Sequence, residues 1–220
     1  MIPLKDIDRR PSRFPAITSL IIAANTFVFL LELANGDAFV ERWALVPSEI
    51  ASGKGLITVV TAMFMHGGLL HIAGNMVFFW AFGPEIEDMM GRMRYAAFYL
   101  LGGLVAFGAQ VALNSASQLP TLGASGAIAA VMGAFLVTFP RDRIRTLVFL
   151  GFYVTTILVP AILLVGLWFL IQIISEAGTV AEGQTSGGVA YAAHIGGFIF
   201  GLAFARLFER RRRGSQAETI

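Results

Sequence analysis

The chain has 220 residues, none of them cysteine, and only 14% are charged. The first absence removes disulfides, thiolate nucleophiles and Cys-ligated metals, and it leaves the redox compartment unstated. The second removes a soluble fold. A soluble domain carries about a quarter charged residues, whereas here 56% of residues are apolar and the mean hydropathy is +0.74. No Asp lies inside a long apolar run, and the sequence His-Glu-x-x-His does not occur. An intramembrane aspartyl protease and a zinc protease of that type are thereby excluded, and no metal or other cofactor is expected. What is present is an integral membrane protein, with room for roughly six or seven helical spans of about 20 residues. The pI near 9.3 comes from arginines at the edges of apolar segments, so it is an orientation signal and not a sign of a nucleic-acid partner.

The apolar runs predict spans at about Phe14–Leu33, Leu69–Phe82, Tyr95–Leu113, Leu122–Phe139, Thr156–Ile174 and Gly188–Phe208. The polar break from Glu32 to Glu41 closes the first, the run Pro84-Glu85-Ile86-Glu87-Asp88 the second, and Pro140 the fourth. Residues 42–68 read as a partly interfacial loop with Trp43 as an anchor, 146–155 as an interfacial lead-in, and 175–187 as a polar, Gly-rich loop. The expectation is an all-α polytopic protein, a bundle of six transmembrane helices forming one membrane domain over 1–220. Residues 1–13 form its uncleaved N-terminal segment and 209–220 its tail. Fourteen of the 16 Lys and Arg fall on one side of this arrangement, and only Arg42 and Lys54 on the other. The positive-inside rule then puts both termini in the cytoplasm.

A polar side chain inside a span is a functional hypothesis by default. The expected spans contain Ser125, His194, His71, Asn75, Gln110 and Gln172, with Glu85, Glu87 and Asp88 at a cytoplasmic end. Gln110 and Gln172 read as interfacial or interhelical hydrogen-bonders, the three carboxylates as solvated or bonded to loop backbone, and Trp168 and Phe169 as packing or lipid contacts. Ser125, His71, Asn75 and His194 enter from the same side, and at 1.5 Å per residue all fall within roughly the outer 10 Å of the bilayer. Ser125 needs a base to become a nucleophile, and a neutral imidazole supplies one. His194 shares a helix face with Gly197 and Gly201, which can pack on the small residues Gly126, Ala130 and Gly133 and carry the ring to the hydroxyl. No Asp is available for a third member, so a Ser-His dyad is expected. His71 and Asn75 lie four residues apart on one face and can donate to an oxyanion, as can the Ser125 N–H at the start of its helix.

These residues resemble a known family. Gly123-Ala124-Ser125-Gly126 is similar to the GxSG motif of rhomboid intramembrane serine proteases. The stretch from His66 through His71 to Asn75 resembles that family's HxxxxHxxxN motif, and Ala193-His194 with Gly197 and Gly201 its last-helix histidine and close-packing glycines. The resemblance implies Ser125 as nucleophile, His194 as general base, and His71 and Asn75 in the oxyanion hole. It implies cleavage of single-span membrane proteins near their outer ends within the lipid bilayer, with substrate entering beside the fifth span under the loop at 175–187. The sequence departs from the family at two places. Trp43 is followed by Ala44 where the family often has Arg, and Ala129 stands where an aromatic often supports the histidine. The expected function is intramembrane serine endopeptidase. The alternative is a catalytically silent member of the same fold that binds membrane clients. The expected location is a bacterial plasma membrane.

Overall fold

Gly126 to Phe135, ten consecutive residues of one helix, are all buried. A helix that is apolar on every side has no face to offer water, so it belongs in the middle of a bundle. The computed structural model describes residues 1–181 and 190–210. Its long helices are α1 (Ala16–Asn35), α5 (Leu69–Met90), α6 (Arg92–Leu113), the central α7 (Ser125–Thr138), α8 (Ala161–Ala181) and α9 (Tyr191–Phe208). Between α1 and α5 lie the short α2 (Asp37–Trp43), α3 (Pro47–Ala51) and α4 (Thr58–Thr61), followed by one 3₁₀ turn at Ala62–Phe64. The fold is thus the mostly helical membrane bundle that the sequence predicts. Among the described residues, α1, α6, α8 and α9 are long and apolar enough to cross a membrane. The Thr58–Phe64 segment and α5 qualify as a pair bent by 87°. At 14 residues, α7 reaches only about 21 Å. Its surroundings are protein, so it can start well below the surface, and Ser125 starts it.

Two devices assemble the bundle without a water-driven hydrophobic effect. The first is close backbone approach between α7 and α9. A Cβ on Gly197 would overlap the carbonyl of Gly126, and one on Gly201 the carbonyl of Ala130. The predicted face of α9 is therefore the one used, although a side chain on Gly126 would first meet Ala106 of α6. The second device is a polar stripe on α1. Thr18, Asn25 and Glu32 recur every seven residues and all three are buried. Thr18 donates its N–H and hydroxyl to Glu87 of α5, each at 2.8 Å. Glu32 accepts the His66 N–H on both carboxylate oxygens at 3.1 Å. Hydrogen bonds of this kind hold helices together where lipid is as apolar as leucine.

The structure corrects several expected boundaries. α5 continues past Pro84 to Met90, with Ala81 to Glu87 all buried, so packing offsets the lost N–H and the ring clash that a proline brings to a helix interior. Residues 143–160 are not an interfacial lead-in followed by helix. They form a hairpin, β2 (Arg143–Leu150) and β3 (Tyr153–Pro160), closed by Gly151 at φ 62°. β2 also pairs antiparallel with β1 (Ile2–Asp6), giving a three-stranded sheet in the order β1-β2-β3. The 42–68 connection is partly helical. α8 runs through to Ala181, so the expected loop at 175–187 starts later. Its remainder, and the tail beyond residue 210, lie outside the described residues.

Candidate active site

Ser125 opens α7 directly after Gly123 and Ala124. At a helix start the first N–H groups have no carbonyl a turn earlier, so the Ser125 N–H is free for another acceptor, and the helix dipole favours negative charge there. Gly123 has φ 133°, a value that favours glycine. A Cβ at Gly123 would sit 3.2 Å from His71 Nε2 and 3.5 Å from Ser125 Oγ. The missing side chain therefore leaves open the space between those two groups.

His194 of α9 reaches the hydroxyl, with Nε2 2.7 Å from Ser125 Oγ. Its other nitrogen, Nδ1, lies 2.7 Å from Oε1 of Gln172 on α8. The roles in this chain can be deduced. The Gln172 Nε2 sits 3.3 Å from the Trp168 carbonyl, which can only accept. The amide must therefore turn its NH₂ toward that carbonyl and its oxygen toward His194. An amide oxygen also only accepts, so His194 Nδ1 carries the proton and Nε2 presents a lone pair to Ser125. The hydroxyl then donates to Nε2, the arrangement a general base requires.

His71 carries its proton on the opposite nitrogen. The Gly67 N–H donates to His71 Nδ1 at 3.3 Å, so Nε2 bears the hydrogen, and Nε2 is the atom beside the space at Gly123. Asn75, one helical turn along α5, has a buried amide nitrogen with no hydrogen-bond partner. Two side-chain donors and the Ser125 backbone N–H thus belong to one site. They line a cavity of about 250 Å³ together with Leu70, Phe78, Ile128, Met132 and Trp168. Hollows of about 430, 700 and 950 Å³ lie at the opposite end. Those are lined by arginines and carboxylates and do not include Ser125, so size does not mark the candidate site.

All four residues named from the sequence, Ser125, His194, His71 and Asn75, meet at this cavity. Two residues of α8, Gln172 and Trp168, adjoin His194. Gln172 makes the expected interhelical hydrogen bond, and its partner is His194. Trp168 packs as expected, and its partner is again His194: the ring centroids are 5.7 Å apart, and Tyr191 contributes a second ring at 6.5 Å. His194 therefore has ring support from α8 despite Ala129. The sequence signal was the spacing of Trp168 and Gln172, which puts them on one face of a helix one turn apart. His66 is buried, with its ring centroid 5.2 Å from that of His71. No group of His, Asp and Glu that could hold a metal occurs among the described residues.

A rhomboid-domain family model matches residues 53–211. The chain is 28% identical over 191 residues to Rhomboid protein 1, mitochondrial, of Saccharomyces cerevisiae, covering 84% of this chain and 51% of that protein. It is 32% identical over 187 residues to Rhomboid protease GluP of Bacillus subtilis, covering 83% and 35%. It is 30% identical over 187 residues to Presenilin-associated rhomboid-like protein, mitochondrial, of Bos taurus, covering 83% and 46%. The chain spans from about a third to half of the length of these curated relatives.

Proposed function

This chain belongs to the rhomboid family, and on that premise we propose that it is an intramembrane serine endopeptidase acting on single-span membrane proteins. The observation that carries the reading is the 2.7 Å contact between His194 Nε2 and Ser125 Oγ, with Nδ1 occupied by an acceptor and Nε2 left basic. Ser125 Oγ attacks the scissile carbonyl as its proton passes to Nε2. The carbonyl oxygen becomes an oxyanion and accepts hydrogen bonds from His71 Nε2–H, the Asn75 amide and the Ser125 N–H. Nε2 returns the proton to the leaving amine, and the C–N bond breaks to give an acyl-enzyme. Water, deprotonated by the same nitrogen, releases the acyl group and restores the serine.

The cavity is lined from α5, α7, α8 and α9, and its apolar walls suit a peptide arriving from lipid. Both termini belong on the cytoplasmic side, because the basic residues cluster at that end of the helices. Two of the relatives above are named as mitochondrial and the third is from Bacillus, and the bacterial plasma membrane remains part of the proposal. The test is cleavage of a membrane-embedded peptide by purified protein in liposomes. Ser125→Ala and His194→Ala should each abolish it while the helical content stays unchanged. Cleavage by Ser125→Ala at the wild-type rate would remove the proposal and favour a silent client-binding role.

A further inference from the structure

Ser125 and His194 exchange a proton through Nε2, but which nitrogen of His194 is bare is settled on another helix. Resting on the reading of these two as nucleophile and base, we propose that Gln172 is a positioning residue that fixes the tautomer of His194 and makes the base depend on the seating of α8. The argument starts from the backbone. The Trp168 carbonyl orients the Gln172 amide, the amide oxygen holds the proton on Nδ1, and the lone pair is left at Nε2. In the other tautomer Nε2 would carry the hydrogen and donate it to Ser125 Oγ. The serine proton would then have no acceptor.

The positioning group sits on the least embedded of the apolar helices. Only 17% of the α8 span is buried within the protein, against 39% of α9. Leu163, Leu167, Leu170 and Ile171 face outward. Trp168 and Gln172, one turn apart, both touch His194 from α8. A shift of α8 away from α9 therefore removes the ring and the acceptor together, and with them the preference for the reactive tautomer. A substrate that displaces α8 would have to let it reseat before the base could act.

The test reads the tautomer directly. The chain has three histidines, so ¹⁵N-labelled imidazoles give few signals, and His194→Ala assigns the relevant pair. The wild type should show a protonated Nδ1 and a bare Nε2. Gln172→Leu should show the two forms averaged, with kcat lowered about 10- to 100-fold and KM within about two-fold. Gln172→Glu keeps an acceptor, so it should retain the Nδ1 proton and recover kcat to within about five-fold. A wild-type His194 protonated on Nε2 overturns the proposal, as does a folded Gln172→Leu with unchanged tautomer and kcat. If Gln172→Leu does not fold, the wild-type and Gln172→Glu spectra decide. These spectra need no substrate, so they stand or fall separately from cleavage by Ser125→Ala.

Discussion

The two ends of this bundle treat polar groups in opposite ways. At the basic end several pair with one another, and the buried atoms left without a partner there are the oxygens Asp6 Oδ2, Glu85 Oε2 and Thr138 Oγ1. Glu87 accepts the Ile17 and Thr18 N–H groups and the Thr18 hydroxyl, capping a helix whose first residue lacks a side-chain cap. Arg143 pairs with Asp8 at 2.6 Å, Arg9 pairs with Asp142, and the Ser12 hydroxyl donates to Asp88 at 2.7 Å. At the other end, donors are held in place with nothing to donate to. The Asn75 amide is buried and unpartnered, and His71 Nε2–H points into the space that Gly123 leaves open. A buried donor without an acceptor costs about 1–3 kcal/mol. Such a cost is offset where an acceptor arrives during function, and in the proposed reaction that acceptor is the substrate's oxyanion. Caps and ion pairs thus join the elements at the basic end, while at the other end an amide donor is left free in the cavity that holds Ser125.

The largest effect that would sharpen this contrast is at the unpaired end. Ser125→Ala or His194→Ala should lower cleavage by at least about 10³-fold with little change in melting temperature, measured by peptide release from liposomes and by circular dichroism. Asn75→Ala should come next, with kcat reduced about 10²- to 10³-fold and stability unchanged or improved, because the variant removes an unsatisfied donor. A large loss of stability in Asn75→Ala would break the contrast. At the paired end the signs reverse. Glu87→Ala should destabilise the protein by about 2–3 kcal/mol, since three donors lose their acceptor. Turnover per folded molecule should stay the same, as read by denaturant melts in detergent beside a kinetic assay.

The smallest effect concerns pH. Burial, reinforced by Asp142, pushes the Asp6 carboxyl up to about 6. A raised acid contributes its full stability below the unfolded value and loses it as pH rises through the folded value. Asp6→Asn should therefore stabilise the protein at pH 8 and not at pH 4. Discounted for solvent screening beside an exposed strand, the difference is about 1 kcal/mol. Melting curves at the two pH values check it.

How much of this was legible follows from where the information lies. Ser125, His194, His71 and Asn75 could be found because each is a polar residue in an apolar run, and because the helical rise converts sequence position into depth. The small-residue face of α9 was legible for a similar reason, since its period is that of a helix. The stripe of Thr18, Asn25 and Glu32 has an equally regular spacing, but its partners Glu87 and His66 are 69 and 34 residues away, and no local pattern names them. Gln172 was recognised as a hydrogen-bonder, yet its partner is 22 residues away and depends on how α8 packs. The sheet was hidden for another reason. Residues 146–174 are apolar throughout, and a continuous apolar run cannot be divided into strand and helix by periodicity. The β-branched residues Val154, Thr155, Thr156 and Ile157, following Gly151, were the available strand signal.

The measurement that most directly tests an activated serine among unpaired donors is labelling by a fluorophosphonate probe, which reacts with a hydroxyl only where a base and an oxyanion site act together. The wild type in proteoliposomes should be labelled once, at Ser125 by peptide mapping, and neither Ser125→Ala nor His194→Ala should be labelled. Equal labelling of Ser125→Ala, or a folded wild type that takes no label, would contradict the account.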